Sequence, residues 1–184
     1  MKYASHLTPI HVKRNADGTY VFIITDSTGV EGFHQESRTT YIDLTKKALQ
    51  KWCEESGTKG QIYALKIKRQ HDATNCPVFT IRDCIEAKRH LDELVHHAQK
   101  TAVHVADNYY EFEDPLPWLM KGTQSLKQLE SYKEAHPETA QLTETVAKHT
   151  HEERNLYAAD RFGKYAMLLI MDILSRSLNP PALI

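Results

Sequence analysis

The chain has 184 residues, 41% hydrophobic and 26% charged, with a formal net charge of −1. That composition is expected of an ordinary globular protein, long enough for one compact core or a core with a small helical appendage. The balance hides a net-positive first 83 residues and a net-negative remainder, and it excludes a general electrostatic grip on nucleic acid. Cys53, Cys76 and Cys84 form no CxxC and cannot all pair, the pattern of reduced thiols in a cytosol. No basic segment followed by an apolar stretch opens the chain, and its greasiest run, residues 165–171, is far short of the roughly 20 residues of a membrane span. A cytoplasmic protein without membrane insertion is expected.

In chain order, apolar-rich stretches at 9–14 and 19–25 flank Asp17-Gly18, a hairpin signal, because a tight turn of the required twist favours positive φ. Residues 26–37 read as a loop leading to a short strand at 38–42. Asp43 or Thr45 can cap a helix in which Ala48, Leu49, Trp52 and Cys53 recur at helical spacing, with Gly57 and Gly60 at its end. Residues 61–69 alternate as a strand, 71–77 are rich in turn formers, and 78–81 return as a second strand. Asp83 would then stand at the positive end of a helix with Ile85, Leu91, Leu94, Val95 and Ala98 on its apolar stripe.

Residues 101–106 support two readings. Leu91, Val95, Ala98, Ala102, Val105 and Tyr109 could form one helical seam, whereas alternation in Thr101-Ala102-Val103-His104-Val105-Ala106 favours a strand after a turn at Gln99-Lys100. The strand is the expectation. Pro115 and Pro117 interrupt regular structure, giving a mixed α/β unit over 1–113 and a helical portion over 114–184, with helices at about 118–135 and 138–178.

Arg82, Asp83 and Glu86 form the most suggestive charged cluster. A cation at a helix entrance can hold phosphate, and carboxylates one turn apart can hold a divalent ion that activates water on a phosphodiester; the alternative is a capping Asp with ordinary i,i+3 charges. Lys66, Lys68 and Arg69 could line an approach for DNA or simply stud an exposed strand. His149 with His151, and His90, His97 and His104, read as solvated polar faces. Walker-type loops, GxSxG, HExxH and zinc-finger spacings are missing from the sequence.

The order helix, glycine, strand, hairpin, strand, helix, strand over residues 41–114 resembles the ParB/sulfiredoxin-like family. The corresponding stretches are 60–67, 78–88 and 100–108; Thr80-Ile81-Arg82-Asp83 stands where the family has Gly-Glu-Arg-Arg, and Asp107-Asn108 opens its acidic-Asn box, with Glu111 in place of the closing Arg. In size and trailing helices the chain is similar to small plasmid fertility-inhibition members of that fold. The resemblance implies a protein that blocks conjugal or T-DNA transfer as a DNase and ATPase. Asp83 and Glu86 would then be catalytic, Arg82, Lys66, Lys68, Arg69 and Asn108 would bind nucleotide or DNA, and Asp107 would bind metal. Mg²⁺ and ATP would be cofactors. DNA and a protein of a conjugation or type IV secretion apparatus would be partners. A non-enzymatic adaptor docking through the carboxyl-terminal helices and a partition-like DNA-binding regulator are the rival readings.

Overall fold

The computed structural model describes residues 6–29, 33–34, 39–71, 76–120 and 123–139. Five strands make one mixed sheet: β1 (Ile10–Arg14), β2 (Tyr20–Ile24), β5 (Gly60–Leu65), β6 (Val103–Ala106) and β7 (Tyr109–Phe112), in the spatial order β1-β2-β5-β7-β6. The β2-β5-β7 centre is parallel, and β1 and β6 pair antiparallel at its edges. Two short strands, β3 (Phe33–His34) and β4 (Thr39–Thr40), form a separate ribbon.

Alternation along the central strands divides the core into two layers. Val21, Ile23, Tyr63, Leu65 and Phe112 face helix α2 (Cys76–Thr101), burying Ala87, Leu94, Val95 and Ala98, while Phe22, Ile24, Ile62, Ala64 and Tyr109 face helix α1 (Tyr41–Ser56) through Ile42 and Cys53. Each fully buried Val, Leu, Ile or Phe among them contributes about 1.5–3 kcal/mol by leaving water. Leu116 and Leu119, the latter in the short helix α3 (Pro117–Met120), join the α2 layer. Helix α4 (Leu126–Ala135) follows, N-capped by Ser125, and Pro137–Thr139 make a 3-10 turn. The single helix expected at 118–135 is thus two, broken where buried Thr123 and Gln124 turn back to bond Arg69 O. The expected helix at 138–178, with His149 and His151, lies outside the described residues from 140 onward.

The hairpin forms, but its loop spans Asn15 to Thr19 rather than two residues; Gly18 takes φ 83° and Asp17 Oδ1 accepts from Thr19 N. Helix α1 starts earlier than expected. Thr40 Oγ1 accepts from Asp43 N, and Gly57 ends the helix at φ 65° with its N–H bonded to Glu54 O. Residues 41–42, expected to continue a strand, belong to this helix.

The largest difference lies at 78–81, expected as a strand and found in the first turns of α2. Pro77 has no N–H to lose in a first turn, and Phe79, Asp83 and Ala87 at steps of four share a buried face, so tertiary burial overrides β-branched propensity. Residues 103–106 do form a strand, although the helix runs on to Thr101 and both Val103 and Val105 are exposed. Strand β7 had no counterpart in the expected elements. The helix–strand–hairpin–strand–helix order on which the ParB/sulfiredoxin-like resemblance stood is therefore absent. Among the described residues no helix is long and apolar enough to cross a membrane.

Candidate active site

At the carboxyl end of β2 the chain buries Asp26 completely. Its Oδ2 lies 2.7 Å from His6 Nε2 and 2.6 Å from Thr8 Oγ1, and its Oδ1 accepts from Thr28 N at 2.8 Å. Burial opposes ionisation of this carboxyl, but the His6 bond and charge and the threonine hydroxyls outweigh it and hold it below the ordinary carboxylate value. With Nε2 donating to the carboxylate, His6 keeps Nδ1 as the proton acceptor.

Tyr41, the first residue of α1, stacks on His6 with ring centroids 3.8 Å apart and planes 18° from parallel. Its phenol is pushed up by burial first and then by the charges of Asp26 and Cys76, which puts Cys76 within electrostatic reach of the same group. Cys76 is buried in the first turn of α2. Burial, and then Glu54 for Cys53 and Asp83 for Cys84, raise the other two thiols.

Three chain segments are laced together to bring these groups close. The extended segment bearing His6 is held by α2, where Thr80 Oγ1 donates to Leu7 O, and by the β2 exit, where Thr25 N donates to Pro9 O. Ser27 O accepts from Arg69 N and Gln70 N, both at 2.8 Å, fixing the irregular segment after β5 against the loop that carries Asp26. At Gly29, φ is 58° and a Cβ would stand 2.4 Å from Lys66 O, so no larger residue allows this approach. Gln124 continues the lacing by accepting from His71 N.

The residues expected to act on DNA take up different places. Asp83 is fully buried beneath the β2 exit, with Arg69 at 3.1 and 2.5 Å from its two oxygens, Arg82 at 3.0 Å and Thr25 Oγ1 at 3.3 Å. Both guanidiniums also donate to Leu119 O and lie over the Phe79 ring. Burial opposes its charge, yet Arg69 and Arg82 hold Asp83 below the ordinary range. Glu86 lies 3.9 Å from Arg89, and Lys66 pairs with Glu111 and Glu113. Lys68 is half-buried beyond β5. Asp107 occupies the β6–β7 turn at φ 44°, and Asn108 donates to Gly60 O. The structure thus gathers Arg69, Arg82 and Asp83 in one ion-pair network, while Glu86, Lys66 and Asn108 bond elsewhere. Among the described residues no group of three His, Cys, Asp or Glu side chains could hold a metal ion.

His11 borders the buried ion pair, 2.9 Å from Thr25 Oγ1, and burial lowers it from 6.5 to about 4 against the pull of Asp83, with Arg69 reinforcing the drop. Between those values the unfolded chain binds a proton that the folded chain does not. Stability is therefore expected to fall by about 3 kcal/mol as pH drops from 6.5 towards 4. Asp26 and Asp83, both below their ordinary 3.8, lose their contributions only at lower pH. Urea unfolding at pH 7 and pH 4.5 measures this window. The slope should flatten in His11→Gln, and an unchanged slope would remove His11 as the source.

A family model described as YopJ serine/threonine acetyltransferase matches residues 1–167. The chain belongs to that family. No curated protein sequence matches it. Among solved structures it is similar to AvrA with IP6 and CoA, at TM-score 0.59 and 15% identity, covering 92% of this chain and 69% of that one. It is also similar to HopZ1a in complex with IP6, at TM-score 0.50 and 14% identity, covering 68% of this chain and 48% of that one. The family match and these two folds overturn the resemblance to ParB/sulfiredoxin-like proteins and to their fertility-inhibition member Osa. With it go the expected DNase and ATPase activity, the adaptor and partition-regulator alternatives, Mg²⁺ and ATP as cofactors, and DNA or a conjugation or type IV secretion protein as partner. The ligands in the related structures are IP6 and CoA. His6, Asp26, Cys76 and Tyr41 were not singled out from the sequence, where Cys76 sat in a presumed turn and His6 in an undistinguished amino-terminal stretch. Their only signal was generic: one cysteine with a histidine and a carboxylate far away in sequence.

Proposed function

We propose that this protein transfers an acetyl group from acetyl-CoA to a serine or threonine hydroxyl through a covalent intermediate on Cys76. The observation that carries the proposal is the His6–Asp26 pair, 2.7 Å apart, under a tyrosine that feels the charges of both Asp26 and Cys76. A base oriented by a buried carboxylate beside a thiol is the arrangement that activates a nucleophile.

In the first half-reaction His6 Nδ1 takes the Cys76 proton, Sγ attacks the acetyl carbonyl, and CoA leaves as its thiolate, protonated by the imidazolium. In the second, His6 removes the proton of the acceptor hydroxyl, whose oxygen takes the acetyl group and releases the Cys76 thiolate. The proton ends on that sulfur through His6. Asp26 keeps the imidazole in the tautomer that both halves need. Arg69 and Arg82 are engaged by Asp83, and Lys66 by Glu111 and Glu113. A thiol nucleophile needs a reducing compartment, and we place the chain in a cytosol.

Incubating the protein with labelled acetyl-CoA in the presence of IP6, followed by acid quench and peptide mass spectrometry, tests the reading. An acetyl thioester on the Cys76 peptide is expected. Acetyl transfer that proceeds without Cys76 would overturn it.

A further inference from the structure

We propose that Tyr41 is a positioning residue for His6, its ring fixing the plane of the imidazole and stabilising the imidazolium that forms when Cys76 gives up its proton. This rests on the Cys76–His6–Asp26 reading and extends it to a residue that takes no part in bond making.

The geometry supplies two reasons. His6 lies on an extended segment outside any helix or strand, and the single bond from Nε2 to Asp26 Oδ2 leaves the ring free to rotate about that axis. A face-to-face contact at 3.8 Å removes the rotation. The platform is itself fixed, because Tyr41 opens α1 directly after its Thr40 cap. The second reason is charge: a cation on an aromatic face is favoured by the ring quadrupole, and the base carries that charge only after taking the thiol proton. Among the described residues, the titratable groups acting on the pair are Asp26 from the β2 exit, Cys76 from α2 and Tyr41 itself; Asp83, Arg69 and His11 form a second buried set. Burial and the neighbouring negative charges keep the phenol protonated, so the ring acts by its face.

The test follows Cys76 alkylation by iodoacetamide against pH, read by mass spectrometry on its own peptide so that Cys53 and Cys84 do not interfere. Loading of acetyl from acetyl-CoA is measured beside it. Tyr41→Leu should move the acid limb of alkylation up by about 0.5–1 pH unit and slow loading about 3- to 10-fold with KM unchanged, the range expected for a cation on a ring. Tyr41→Phe, which keeps the face, should restore most of both. Tyr41→Met replaces the leucine variant if that chain melts earlier than the parent. A leucine or methionine profile superposed on the parent's, or a phenylalanine variant as impaired as the leucine one, overturns the role of Tyr41. His6→Ala separates the two levels. If its profile matches the parent's, the acyl-transfer reading itself fails, whereas a changed His6→Ala profile beside an unchanged Tyr41→Leu profile sinks only the tyrosine.

Discussion

Cys76→Ala is expected to reduce acetyl transfer by about 10³-fold or more while circular dichroism and thermal unfolding stay close to those of the parent. The side chain is small and sits in the first turn of α2, so deleting its sulfur leaves little cavity and removes the nucleophile outright. His6→Ala should fall nearly as far, because a thiol without its base is mostly protonated at neutral pH. The double variant should be no worse than either single one, since groups that act as a unit do not add. Asp26→Asn should cost about 10²- to 10⁴-fold: its amide can donate to His6 as well as accept, and the tautomer that leaves Nδ1 free is no longer enforced. Rates from a series at saturating acetyl-CoA would check the ranking. Additive losses in the double variant would mean that Cys76 and His6 work in separate sites.

Much of the scaffold was legible in the sequence because it depends on local signals. Asp17-Gly18 between apolar runs marked the first hairpin, Gly57 marked the end of α1, and the alternation of residues 61–69 marked a central strand, which the structure ends at Leu65. The failures have one physical origin. At 78–81 a β-branched pattern was outweighed by a helical face buried at Phe79, Asp83 and Ala87, and Ala87 packs in a layer with Val21 and Leu65, far away in sequence. That one error moved Asp83 from a helix entrance, where it resembled a phosphate-site carboxylate, to the second turn of α2, and it hid Cys76 as the start of that helix. Strand β7 was missed beside the Asp107-Asn108 turn that introduces it, although Asp107 adopts the positive φ that such a turn uses. The site itself was not legible: His6, Asp26 and Cys76 come from three segments separated by 20 and 50 residues, and only the folded lacing through Thr80, Ser27 and Gly29 ties those segments together and brings Asp26 and Cys76 within electrostatic reach of the tyrosine stacked on His6.

Asp83→Ala is expected to cost about 3–5 kcal/mol of stability, because it strands buried positive charge. Arg69 is fully buried and Arg82 nearly so, and after the substitution their remaining acceptors are the backbone oxygens of Thr25 and Leu119. A catalytic Asp83, as the ParB/sulfiredoxin-like resemblance implied, would be replaceable with the fold intact. The geometry reverses that order: activity should fall because the fold loosens, since the same network holds Thr25 next to Asp26 and Arg69 next to the Ser27 anchor. Replacing the buried pair together, as Arg69→Met with Asp83→Leu, should recover part of the loss by removing a charge along with its partner, leaving Arg82 to reach solvent. Urea unfolding of the single and double variants at pH 7 measures both terms. A double variant less stable than Asp83→Ala, or an Asp83→Ala chain as stable as the parent but inactive, would show that Asp83 does something other than balance the two guanidiniums.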